Sequence, residues 1–159
     1  MAVIKFRTQL RNNAVALISL VIAIGSLGYN TWRNETTEEQ RNIRHAAFRV
    51  LESLGELQEV VDTRYYYLPY NQSPEREGES RIRGFGTVAT VRDLTGLMPS
   101  PANGAGVELH AQWLEHFINL HQLNENGAHA PEARTAESRL TRAIAATREA
   151  VLEVLHQLE

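Results

Sequence analysis

Asn12-Asn-Ala-Val-Ala-Leu-Ile-Ser-Leu-Val-Ile-Ala-Ile-Gly-Ser-Leu-Gly-Tyr-Asn-Thr-Trp32 runs for 21 residues without a charged side chain. Coiled as an α-helix at a rise of about 1.5 Å per residue, it spans roughly 30 Å, the thickness of a bilayer's hydrocarbon core. A helix buried in a soluble protein usually keeps a polar stripe, and none is visible here over four turns. The stretch therefore predicts a transmembrane helix over residues 14–32, with Tyr29 and Trp32 at one interface, where amphipathic rings partition. A cleavable signal peptide would share the basic start, and Ala23-Ile24-Gly25 loosely resembles a cleavage site, but the apolar run is long for such a segment.

Working outward, Lys5, Arg7 and Arg11 precede the apolar run with no acid among them, and form a short basic tail over residues 1–13. Arg33, Arg41, Arg44 and Arg49 follow it, so the basic count alone is almost neutral. A short tail is easily retained inside, which orients the N-terminus to the cytoplasm and residues 33–159 to the far side, the periplasm of a bacterial inner membrane. Within the span, Ala16, Ser19, Ala23 and Ser26 recur at spacings of 3, 4 and 3. A stripe of small residues lets two membrane helices approach closely, so this face is expected to dock a second copy or another membrane protein.

The chain has 159 residues, enough for one domain once the membrane segment is subtracted. From Asn34 onward, 19 acids stand against 12 arginines, and a domain this acidic is a poor ligand for nucleic acid. The absence of cysteine excludes disulfides, thiolate metal sites, thiol nucleophiles and covalent haem attachment.

Ile43, Ala47, Val50, Leu54, Leu57 and Val61 follow one another at 4, 3, 4, 3 and 4 with charges between, the pattern of an amphipathic helix. It either continues from the membrane helix or starts at Thr36, whose spacing to Glu39 fits a capping box. Pro69 ends it, giving a helix of about 36–68, and a polar loop runs from Pro69 to Glu79. A second helix is predicted over about 81–98, with Ile82, Phe85, Val88, Val91, Leu94 and Leu97 apolar and Gly84 and Gly86 weakening its first turn. The prolines and glycines after Met98 break it. A third helix over about 107–124 offers Leu109, Trp113, Leu114, Phe117, Leu120 and Leu123 for burial. Pro131 opens a fourth, over about 131–158, on the repeat Leu140, Ile144, Thr147, Val151, Leu155 and Leu158.

No useful length shows the alternation of a half-buried strand. The fold class is all-α, a single transmembrane helix followed by an antiparallel, up-down-up-down bundle of four helices. In that topology the fourth helix returns towards the bilayer. The layout is similar to the four-helix sensor domains of bacterial chemoreceptors and histidine kinases, in which a first membrane helix feeds the bundle. The similarity rests on no motif. In those receptors a second membrane span and an output module follow the fourth helix, whereas this sequence stops at Glu159, so a direct signalling role would need a partner to supply the output.

Six histidines are present, but His110, His116 and His121 contain no i,i+4 pair, and no zinc-protease motif occurs. A metal or haem site would need ligands such as His45 and His156 converging from other helices, and no cofactor is expected. Nucleophile-elbow, phosphate-loop and dinucleotide glycine patterns are also missing, so no catalytic residue is assigned. The densest aromatic group is Tyr65, Tyr66, Tyr67 and Tyr70, with Arg81 and Arg83 close by in sequence. Tyrosine and arginine are favoured in interfaces, so these six residues form the candidate partner or ligand surface. The expected function is that of an accessory or scaffolding subunit of an inner-membrane complex, working by protein contact and not by catalysis. The alternative is a periplasmic ligand-sensing module that signals through a partner.

Overall fold

The computed structural model describes residues 13–71 and 73–158. The basic tail with Lys5, Arg7 and Arg11 lies outside the described residues. The described residues are 83% helix, with no strand among them beyond a single antiparallel bridge between Leu123 and His129. Among the described residues there are four α-helices: α1, Ala14–Asp62; α2, Pro74–Thr95; α3, Ala102–His116; and α4, Pro131–Gln157. A π-helical turn, Thr63–Tyr67, follows α1, and a 3-10 turn, Phe117–Asn119, follows α3. The chain divides into two units, Met1–Arg41 and Asn42–Glu159.

The first unit contains the apolar half of α1. A window of this helix is long and apolar enough to cross a membrane, with a mean hydropathy of 1.7 and none of it buried. Val15, Ile18, Val21, Ile24 and Leu27 are all exposed. Thr36 does not begin a helix. Its hydroxyl donates back to the Trp32 carbonyl at 3.0 Å, as Thr31 and Thr37 do to Leu27 and Arg33, so these side chains bond within a helix that is already running.

In the second unit the repeat on α1 becomes the core. Ala47, Val50, Leu54, Leu57 and Val61 are fully or almost fully buried, and Ile43 is partly so. Val88 and Val91 of α2, Leu109 and Trp113 of α3, and Leu140, Ile144 and Val151 of α4 join the same cluster. The polar side chains between helices pair in opposite chain order. Glu59 and Glu56 of α1 meet Arg83 and Thr87 of α2, and Gln58 and Arg44 of α1 meet Thr141 and the Leu158 carbonyl at and beyond α4.

The second helix starts seven residues earlier than its apolar pattern suggests, because Ser73-Pro-Glu-Arg-Glu is a start signal and not a loop. Ser73 Oγ accepts from the Arg76 amide, Pro74 occupies the first turn, and Glu75 and Glu77 sit where the helix dipole favours acids. Of the six apolar positions expected on it, Val88 and Val91 are buried and Ile82 (78% exposed) faces solvent, while Leu97, also exposed, falls beyond the helix end at Thr95. The third helix likewise starts at Ala102 and tightens to a 3-10 turn at Phe117.

Glycine sets the spacing of α2 and α3. A Cβ on Gly84 would lie 2.7 Å from Trp113 Cζ2 and 3.2 Å from Val60 Cγ1, and one on Gly106 would overlap Thr95 Oγ1. Side chains at these positions would push the helices apart. Gly84 therefore admits the Trp113 ring, which counts for more than its weak helix propensity.

Candidate functional site

The core-facing repeat of α1 does not stop at Val61. The next positions at that spacing are Arg64 and Leu68, so the periodicity that buries valine and leucine carries an arginine inwards. The π turn holds it there, with the Leu68 amide donating to the Thr63 carbonyl at 3.0 Å across the wider loop. Such turns are rare and often accompany functional sites.

Arg64 is 2% exposed. Its Nη1 donates to Ser80 Oγ at 2.8 Å and to the Glu77 carbonyl at 3.4 Å. Its Nη2 lies 3.0 Å from His121 Nδ1 and 3.8 Å from Glu77 Oε1, and the guanidinium carbon lies 4.3 Å from the centre of the Phe117 ring. A guanidinium can only donate, so His121 Nδ1 accepts and the imidazole proton resides on Nε2. That nitrogen faces Glu77 Oε1 at 3.6 Å, too far for a direct hydrogen bond. Arg64 Nε is buried without a hydrogen-bond partner among the described residues.

Burial draws the Arg64 guanidinium below the usual arginine range, and the Glu77 carboxylate opposes it. Burial, and then the Arg64 charge, hold His121 below the ordinary imidazole value, so it is neutral at pH 7. Arg64 remains a cation, because arginine does not deprotonate in proteins. The structure thus keeps a positive charge at the end of a hydrophobic core, paired at 3.8 Å with a Glu77 carboxylate that is 53% exposed.

Two clefts flank this cluster and share Glu77 and His121. One, of about 380 Å³, has Arg64 and Arg81 on its polar side and Phe85, Leu114, Phe117 and Ile118 as its apolar wall. The other, of about 400 Å³, is closed by Leu68, Pro69, Ser73 and Pro74. The described residues contain no group of three or more His, Asp or Glu side chains placed to hold a metal ion.

Comparison with known protein families, curated proteins and solved structures gives no match to this chain.

The residues singled out in the sequence are only partly brought together. Tyr65 is buried and stacks on His129 with ring centres 3.9 Å apart, so it belongs to the core and not to an exposed surface. Tyr66, Tyr67 and Tyr70 are exposed. Tyr67 OH accepts from Arg76, and Tyr67 and Arg83 line a shallow cavity of about 260 Å³ between α1 and α2. Arg83 is occupied there by a two-point ion pair with Glu59, at 3.1 and 3.2 Å. Arg81 projects to the other side of α2, into the cleft with Arg64. Ala16, Ser19, Ala23 and Ser26 lie exposed on α1. Arg64 and His121, at the centre of the site, were not among the sequence candidates. The signal available was an arginine at the next core position after Val61.

Proposed function

We propose that the chain is a single-pass membrane protein whose soluble part is an up-down-up-down four-helix bundle acting by protein contact, as an accessory or scaffolding subunit of a bacterial inner-membrane complex. The unburied apolar window of α1 supports the anchor. The opposite-order pairings of α1 with α2 and with α4 support the bundle topology. The basic tail favours an N-terminus in the cytoplasm and a bundle in the periplasm.

The observation that carries the contact role is an apolar line on α3 and its continuation. Val107, Leu114 and Ile118 recur at helical spacing and are each about 60% exposed. Ile82 on α2 and Leu97, in the turn that follows it, are also exposed. Solvent-facing apolar residues aligned on one face mark interaction surfaces more often than isolated ones do. The test is site-specific photo-crosslinking of the full chain in its native membrane from Val107 and Leu114, against Arg142 on α4 as control. The reading requires one reproducible product, with a second copy or another membrane protein, from the α3 positions alone. Equal labelling from all three positions, or none from α3, would overturn it.

A second reading, a ligand-sensing module that signals through a partner, is favoured by the cleft that joins Arg64 and Arg81 to an apolar wall.

A further inference from the structure

We propose that the cleft between α2 and α3 binds a small monocarboxylate with an apolar or aromatic tail, the carboxylate meeting Arg81 and the tail lying on Phe85, Leu114 and Ile118. This inference rests on the ligand-sensing reading and adds the chemical class to it.

Charge comes first. Arg64 is a buried cation that Glu77 neutralises in part from 3.8 Å, and with Arg81 on the same cleft the lining carries two cations against one acid, an excess of positive charge. Arg81, on the same rim, is exposed and makes no ion pair among the described residues. Two cations beside an apolar floor select an anion. Glu77 on that rim limits the choice, because it repels a second negative charge and so disfavours dicarboxylates and phosphates.

Shape comes second. Leu114 and Ile118 present exposed apolar surface to the cleft, with Phe85 and Phe117 packed edge to face behind them at 5.1 Å. A tail laid on this wall removes apolar surface from water on both sides. The volume of about 380 Å³ falls at the small end of ligand clefts, which suits a molecule of roughly ten non-hydrogen atoms. Arg64 acts through its field and by fixing His121 and Glu77. Arg81 supplies the direct, two-point contact that a planar carboxylate favours.

The test is calorimetric titration of the full chain in neutral-lipid discs, with empty discs subtracted. The probes are phenylacetate and hexanoate, and the controls are 2-phenylethanol, phenethylamine, acetate and phenylsuccinate. Phenylacetate and hexanoate should bind at least tenfold more tightly than any control, and Arg81→Gln should weaken phenylacetate roughly tenfold while leaving 2-phenylethanol unchanged. Ile118→Glu should abolish phenylacetate binding. If 2-phenylethanol binds as well as phenylacetate, or Arg81→Gln changes nothing, the carboxylate assignment is wrong although a ligand site remains. If no probe or control binds, the assignment and the sensing reading fall together.

Discussion

Gly84 and Gly86 occupy the same helix, one turned into the core and the other out to solvent, and alanine should separate them sharply. A Cβ at Gly86 meets nothing within 4 Å, whereas one at Gly84 lands 2.7 Å from Trp113 Cζ2, where ordinary contact begins at 3.4 Å. The ring would have to retreat by about 0.7 Å, yet Trp113 is fully buried and stacked on Phe117 at 5.0 Å. Each substitution gains about 1 kcal/mol of helix propensity. Overpacking at Gly84 costs about 1–3 kcal/mol. The propensity gain cancels between the two variants, leaving a gap of that size, or roughly 4–12 °C in melting temperature at about 4 °C per kcal/mol. The assay is thermal unfolding of the full chain in lipid discs, followed by near-ultraviolet circular dichroism. Gly86→Ala should melt above the parent and Gly84→Ala well below Gly86→Ala. Equal melting temperatures would refute the close approach of α2 and α3.

Three further outcomes follow from the same structure. Arg64→Ala should destabilise the second unit by about 3 kcal/mol in urea unfolding, because Ser80 and His121 lose their donor and Phe117 its cover, and Arg64→Lys should recover less than half of this, since an ammonium cannot reproduce the planar fork. His121 has a folded pKa below its unfolded value of 6.5, so the unfolded state takes up the proton first: stability is unaffected well above pH 6.5, falls as pH drops through 6.5, and levels off below the folded pKa. Arg64 opposes the imidazolium and Glu77 favours it, and His121→Gln should flatten that acid-side slope in urea titrations at stepped pH; an unchanged slope would assign it elsewhere. Ser19→Leu with Ala23→Leu should reduce α1 self-association or heteroassociation in a bilayer severalfold by fluorescence transfer, and an unaltered signal would remove the stripe from any interface.

Much of the fold can be read from periodicity because burial and helix geometry impose the same spacing. Ala47 to Val61 on α1 and Leu140 to Val151 on α4 illustrate this, since each core position follows from the one before. Element boundaries follow other physics. The start of α2 is set by the Ser73 cap, Pro74 and the dipole-facing acids, all polar residues that resemble a loop when hydropathy alone is read. Ile82 fits an apolar stripe yet faces water, because the close approach at Gly84 and Gly106 fixes which side of α2 faces inwards, and that depends on residues far away in sequence; Leu97 falls in the turn after the helix has ended. The site was harder to see for the same reason. Tyr65 looks like surface until His129, beyond α3, supplies its stacking partner. Arg64 looks like an exposed charge until Ser80, His121 and Phe117 from three later segments enclose it.

Residence of residues 14–32 in lipid is the premise of the proposed membrane role. Membranes containing the full chain, extracted with alkaline carbonate, measure this directly through the fraction that stays with the bilayer. Retention of nearly all the chain in the membrane pellet is the predicted result. Release into the supernatant as a monodisperse protein, without detergent or lipid, would contradict it.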